Sequence, residues 1–331
     1  MSRADSGAGE AAPDGILLVD KPSGPTSHDI VARMRRLAGT RKVGHAGTLD
    51  PMASGLLVVG IGASTRLLTF VVGTGKEYLA TIRLGHGTTT DDAEGEALPA
   101  PHPERARTLD EESIRAALTG LTGTIAQVPS SVSAIKVDGK RAYARVRAGE
   151  EVRLAAREVT IEAIDVLGLR RGENGEGVPL IDLEVRVDCS SGTYVRAIAR
   201  DLGAALGVGG HLTALRRTAV GPFSVGDAAT PDALAEDGVA TRMLAPAEAA
   251  ARLFPTVRLT EEEARDLGDG KRPAPGAGRL PAGRVAALAP DGRLVGIAEP
   301  AGERLRVVVN FPTPASSPRA AHPHERGSEH P

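Results

Sequence analysis

The first residues to weigh are those of one glycine- and proline-rich stretch, Gly44-His45-Ala46-Gly47-Thr48-Leu49-Asp50-Pro51-Met52-Ala53-Ser54-Gly55. Its one acid, Asp50, lies between Leu49 and Pro51. Pro51 has no N–H and pushes Asp50 out of the α region. The glycines allow another backbone or a ligand to come close. A carboxylate presented by so stiff a turn is a candidate nucleophile, and equally a plain turn former. Taken alone the loop reads as a structural turn, and a chemical role needs support from elsewhere in the chain. Three groups of cations are local excesses that could form a basic surface. Arg33, Arg35, Arg36, Arg41 and Lys42 precede the loop; Lys136, Lys140, Arg141, Arg145 and Arg147 form a second group; Arg196, Arg200, Arg216 and Arg217 a third. Their ordinary reading is solvated helix faces.

The 331 residues allow one large domain plus a small one, or two medium domains. Hydrophobic residues make up 41% and charged ones 25%, an ordinary globular balance. With 2% aromatics and no Trp, aliphatic side chains must fill the core. The net charge of −2 gives no chain-wide attraction to nucleic acid, so any basic surface is local. Cys189 is the only cysteine, which excludes an intrachain disulfide and a Cys-based metal cluster; at the end of an apolar strand it reads as a small buried residue. No apolar run reaches membrane-spanning length, and the polar N-terminus has no signal-peptide core, so a cytoplasmic protein is expected.

The elements that must hold Asp50 follow from pattern. Gly15–Asp20 reads as a short buried strand, then a turn through Lys21 to Ser27 and a helix capped by Thr26 or Ser27, with Ile30, Val31, Met34 and Leu37 on one face and Gly39 past its end. Leu56–Ile61 is a continuous apolar strand, and Ser64 is expected to cap a short helix through Phe70. Lys76–Leu84 alternates, with Tyr78, Ala80, Ile82 and Leu84 on one side. Gly85–Glu96 reads as a long exposed loop, and Thr108-x-x-Glu111 as the capping box of a helix ending near Gly120. Residues 124–153 form a polar, cationic excursion, with a short helix expected near Arg141–Ala148. Strands resume at 157–169 and 181–187, and a helix from Tyr194 to about Leu206 ends in glycines. After Phe254 the pattern resets to a small β-rich module of about 60 residues, with a hairpin around Asp291-Gly292. The domains expected are a tail at 1–13, a catalytic domain at 14–253, the module at 254–311 and a polar tail at 312–331.

Several segments in order resemble the TruB family of tRNA pseudouridine synthases: Lys21-Pro22-x-Gly24-x-Thr26-Ser27; the Gly44–Gly55 loop; Lys76-Glu77-Tyr78; Leu84-Gly85 with Thr88-x-Thr90-x-Asp92-Ala93-x-Gly95; Ser133-Ala134-x-Lys136; and Cys189-Ser190-Ser191-Gly192-Thr193-Tyr194-Val195-Arg196, running on to Gly203. The resemblance covers roughly residues 14–220. It implies an α+β fold, a mixed and mainly antiparallel sheet flanked by helices, followed by a small β-rich domain like the PUA type of RNA-binding domain. It also implies a reaction without cofactor or metal, in which uridine 55 in the T-loop of tRNA becomes pseudouridine. Such a reaction needs a nucleophile that later leaves, and a carboxylate suits it. Asp50 matches the family's nucleophile and Arg196 the guanidinium that keeps it ionised. Tyr78 matches the tyrosine that stacks on the flipped base and stands in reach of its C5 proton. Lys21, His45, Tyr194 and Leu215 match substrate-pocket positions, with buried support as the plainer reading of Lys21 and Tyr194. Asp92 either orders its loop or touches RNA.

The excursion at 124–153 resembles the family's thumb-like insertion, making Lys136, Lys140, Arg141 and Arg145 candidates for contact with the T-arm. A monomer without an obligate protein partner is expected. Three other readings share some of these features: an RNA-binding or tRNA-folding module whose catalysis is dispensable or absent, an RNA-guided relative working in a ribonucleoprotein particle, and an N-glycosidase that would release free uracil.

Overall fold

The computed structural model describes residues 13–130, 136–137, 140–141, 154–276 and 278–311. The chain divides into two units, the first ending at Ala245 and the second beginning at Pro246.

The first unit is built on a nine-stranded sheet. Its main path runs β1 (Gly15–Lys21), β3 (Ser54–Ile61), β10 (Gly210–Val220), β4 (Lys76–Leu84), β9 (Pro179–Cys189), β8 (Arg157–Glu173) and β5 (Gly123–Gln127). The short strands β2 (Val43–Ala46) and β11 (Phe223–Ser224) pair with β3 and β10. Every pairing is antiparallel except β3 with β10, which meet in parallel at Ser54–Arg216 and Gly55–Arg217. The sheet is therefore mixed and mainly antiparallel, as expected. Its helices are α1 (Ser27–Leu37), α2 (Leu68–Val72), α3 (Arg105–Thr108), α4 (Glu111–Thr119), α5 (Val195–Leu206) and α6 (Pro231–Asp237). One core lies between α1 and β1–β3, around Met34, Leu17 and Val59. The other lies under α4 and α5, around Ile82, Val185 and Leu202.

Local chemistry sets the element ends. Thr26 caps α1 in a complete capping box with Asp29, and Gly39 follows with φ +61°. Three expectations need correction. Asp110 caps α4, its carboxylate accepting from Ser113 N, because Thr108 is already used as the last residue of α3. Ser64 lies inside a 3-10 turn, Gly62–Leu67, with its N–H taken by the Asp14 carboxylate, so it does not cap α2. Lys140–Arg141 is a strand paired with Lys136–Val137, where a helix was expected to start; the rest of that helix, and Arg145, lie outside the described residues.

The parallel crossing of β3 and β10 is close enough to require glycine. Gly55 has φ +100°, and a Cβ there would stand 2.2 Å from the carbonyl oxygen of Arg217. Gly55→Ala is expected to destabilise the first unit by about 3 kcal/mol through strain and clash together. Urea denaturation of the full chain would measure it.

The second unit holds a four-stranded sheet, β12 (Thr256–Arg258), β13 (Val285–Leu288), β14 (Leu294–Ala301) and β15 (Arg304–Asn310), with helices α7 (Pro246–Leu253) and α8 (Glu261–Gly268). Helix α7 packs on β13 and β14, so it joins this unit although the sequence pattern resets only at Phe254.

Candidate active site

The loop carrying Asp50 joins β2 to β3 and is clamped from beneath by the β1–α1 turn. Ser27 Oγ, fully buried, donates to Leu49 O at 3.1 Å and accepts from Leu49 N at 2.9 Å. Lys21 Nζ, also fully buried, donates to the carbonyls of Pro22, Pro25 and Pro51 at 2.9, 2.8 and 3.2 Å. Gly24 N donates to Pro51 O as well. The peptide on each side of Asp50 is thus tied down, leaving its side chain as the free variable. Burial lowers the Lys21 ammonium to about 8, with Asp50 opposing that fall.

A second tie comes from β10. Arg217 is 1% exposed, and its Nη2 and Nε donate to Gly47 O at 2.9 Å and Leu56 O at 2.8 Å. One guanidinium therefore bridges the two ends of the loop. Its neighbour Arg216 points the other way and pairs with Asp20 at 2.8 Å. Side chains alternate across a strand, so one of two adjacent arginines has to face inward.

The partner of Asp50 arrives on α5. Arg196 Nη2 lies 2.9 Å from Asp50 Oδ2, while Nη1 lies 3.0 Å from Asp92 Oδ2 and donates to Thr90 O at 3.1 Å. Arg196 is 5% exposed, in the first turn of a helix whose dipole disfavours a cation there. Two carboxylates and a carbonyl offset that. Gln127, at the end of β5, holds the helix start: its Oε1 accepts from Tyr194 N at 2.8 Å and its Nε2 donates to Tyr194 O at 3.1 Å. Asp92 is buried, and its other oxygen accepts from Thr90 Oγ1 and Glu94 N. The Gly85–Glu96 stretch is therefore not simply an exposed loop; it delivers a buried acid to Arg196.

These groups open onto a cleft of about 420 Å³, walled by Asp50, Tyr78, Tyr194, Arg196, Leu215 and Arg217 among others. That is within the range that encloses a small ligand. Burial pushes the Asp50 carboxyl up from its ordinary value, outweighing the opposing pull of Arg196. Burial likewise pushes the Tyr78 phenol up, with the Arg217 guanidinium pulling it back. A carboxylate facing a guanidinium, across from a phenol, can attack carbon and leave again while the phenol oxygen handles a proton.

Comparison with known proteins places this arrangement. Residues 35–195 match the profile of the TruB family pseudouridylate synthase N-terminal domain. Residues 196–252 match that of the tRNA pseudouridylate synthase B C-terminal domain, and 254–312 that of the tRNA pseudouridine synthase II C-terminal domain. The chain is 59% identical over 299 residues to tRNA pseudouridine synthase B of Leifsonia xyli subsp. xyli, covering 90% of this chain and 96% of that protein. The chain belongs to the TruB family of pseudouridine synthases. It is 55% identical over 303 residues to the tRNA pseudouridine synthase B of an Arthrobacter species, covering 90% and 96% of the two chains. It also resembles, with a TM-score of 0.64 and 26% identity, a chain in the structure of an H/ACA ribonucleoprotein bound to a substrate RNA containing 2′-deoxyuridine. That match covers 90% of this chain and 85% of the other.

Of the residues matched to the TruB family by sequence, Asp50, Tyr78, Arg196, Tyr194 and Leu215 converge on the cleft. Lys21 and His45 lie outside its wall. Lys21 is beneath the loop, and His45 stands on β2 in edge contact with His28, ring centroids 5.8 Å apart, with burial lowering its pKa. Lys136, Lys140 and Arg141 sit on the small β6 (Lys136–Val137) and β7 (Lys140–Arg141) ladder. The sequence pattern marks Arg217 only as part of a basic cluster and Ser27 only as a possible helix cap and motif residue, and it does not mark Gln127 at all. For Arg217 the adjacent pair on an apolar strand was the signal of an inward side chain, for Ser27 its place in the Lys21–Ser27 motif; Gln127 carried none.

The shift at Asp50 has a kinetic consequence. If the ionised carboxylate is the reactive form, kcat/KM falls as pH falls through a pKa above the usual carboxylate range near ~4. A carboxyl raised on folding favours the folded chain when protonated. The acid limb at this group is therefore a loss of chemistry, and circular dichroism should stay native-like across it.

Proposed function

We propose that this enzyme converts uridine 55, in the T-loop of tRNA, to pseudouridine by base flipping and an Asp50-dependent break and re-formation of the glycosidic bond. Family membership carries the coarser activity, isomerisation of uridine to pseudouridine in tRNA. The observation that supports the finer reading is the single carboxylate of Asp50, on a backbone clamped on both sides, paired at 2.9 Å with a buried arginine inside a nucleotide-sized cleft.

The chain's own groups cover the steps. The target uridine leaves its stack and enters the cleft, where Tyr78 offers an aromatic face and Leu215 an apolar wall. The Arg196 guanidinium holds Asp50 in one direction while Asp92 fixes that guanidinium from behind. Asp50 engages the nucleotide, the bond from C1′ to N1 breaks, the base turns, and a bond from C1′ to C5 forms. The C5 proton then passes to the Tyr78 oxygen.

The test is incubation of the protein alone with an unmodified T-arm hairpin, with pseudouridine mapped by carbodiimide and primer extension. A stop at position 55 is expected without any other protein. No pseudouridine, or release of free uracil, refutes the reading. Lys136, Lys140, Arg141 and Arg145 are assigned to the RNA backbone. Reversing the charge of the first three together should raise KM and lower the salt slope of binding by up to about three, with kcat at saturating RNA preserved.

A further inference from the structure

We propose that Arg217 is the positioning residue of the proton-removal step: its guanidinium, held by the two ends of the catalytic loop, fixes the Tyr78 oxygen and supports it as the base at C5. The inference rests on the isomerisation proposed above.

Arg217 on β10 and Tyr78 on β4 are directly paired in the antiparallel register, and both side chains wall the same cleft. The Arg217 side chain has little freedom: it is 1% exposed and donates to Gly47 O and Leu56 O, with Thr48 O at 3.5 Å. Gly47 lies against it, since a Cβ there would come within 3.3 Å of Arg217 Nη1. A buried guanidinium fixed in this way is a preorganised positive charge.

The chemistry requires such a charge. A phenol buried in a protein resists ionisation, which works against its use as a base. Arg196, the other arginine in the cleft wall, is committed to Asp50 and Asp92. Arg217 is the cation that faces Tyr78 across the strand pair.

In the step itself, the rearranged base carries its hydrogen on a tetrahedral C5, with C6 doubly bonded to N1. The Tyr78 oxygen, as phenolate, takes the proton. The C5–H electron pair becomes the C5–C6 double bond, and the C6–N1 pair moves onto N1, which then takes a proton. No atom is gained or lost, and Tyr78 returns its proton to water. The loop and Tyr78 are thus coupled through one side chain, so the nucleophile and the base share a common reference.

The experiment uses single turnovers of the full-length protein on a T-arm hairpin carrying 5-tritiated uridine. Two quantities are followed: loss of uridine, from nucleoside digests of quenched samples, and release of tritium. In the wild type the two should coincide. In Arg217→Gln, uridine loss should run ahead of tritium release by about tenfold or more, with a rearranged nucleoside accumulating between them, as in Tyr78→Phe. Arg217→Lys, which keeps a cation, should narrow the gap. A residue that only braces the loop would slow both quantities together, because Asp50 acts before C5 loses its proton. Coincident traces in both variants, slowed or not, overturn the proposal. If Arg217→Gln fails to fold, the equally uncharged Arg217→Met is read by the same criterion, with a gap supporting the proposal and coincidence overturning it. Wild-type protein that forms no pseudouridine would instead refute the isomerisation.

Discussion

Asp50→Asn is expected to fold normally and to lose turnover by about four orders of magnitude or more, the scale seen when a covalent nucleophile is removed. The fold should survive because what shapes the loop is backbone. The carbonyl and N–H of Leu49 are held by Ser27, the carbonyl of Pro51 by Lys21, and those of Gly47 and Leu56 by Arg217. None of these bonds involves the Asp50 side chain. Nor does the substitution strand a buried charge, since Arg196 keeps Asp92 at 3.0 Å and the Thr90 carbonyl at 3.1 Å. The chemistry proposed for Asp50 should be lost, because an uncharged amide is a poor nucleophile toward carbon. Thermal denaturation should show a Tm within a few degrees of wild type, while mapping on the T-arm hairpin shows no pseudouridine. Full conversion by Asp50→Asn would remove the central chemical role assigned here.

Arg196→Ala is expected to fail in two ways at once. Asp92, buried beside it, would lose its cation, and an uncompensated buried charge costs about 3–5 kcal/mol. Asp50 would lose the group that holds its direction and opposes its raised pKa. Single-turnover rates should fall by about 10² or more, and the acid limb of kcat/KM should move to higher pH, since the main counter to burial would be gone and only the weaker pull of Lys21 would remain. Arg196→Lys separates the effects. An ammonium keeps the charge near Asp92, so much of the stability should return. It cannot fork between two carboxylates, so the rate should stay low. Urea denaturation and single-turnover kinetics on the two variants would show whether stability and rate part company. If both recovered fully in Arg196→Lys, the two-pronged geometry would have no function.

Much of the framework was legible because it depends on neighbours close in sequence. The alternation of Tyr78, Ala80, Ile82 and Leu84, and that of Ile181 to Val187, are period-two patterns that any half-buried strand must show. The cap at Thr26 and the left-handed glycine after α5 are signals spanning a few residues. The capping box read at Thr108 failed because Thr108 closes the preceding short helix, which sequence pattern did not reveal, and Asp110 caps α4 instead. The stiffness of the Asp50 loop was likewise local, a matter of Pro51 and the glycines.

Sequence by itself determined that the chain is an α+β protein with one rigidly mounted acid, and, through its motifs, that Arg196 and Tyr78 belong with that acid. Tertiary structure alone decided what holds them. Asp92 reaches Arg196 from 104 residues away, Arg217 reaches Leu56 across 161, and Gln127 reaches Tyr194 across 67. Contacts of that separation leave no periodic trace, because each is one side chain meeting one backbone group or one charge, fixed by strand order and register. Whether Asp50 is turn former or nucleophile is such a question: its residue type permits both, and the buried arginine facing it at 2.9 Å favours the second.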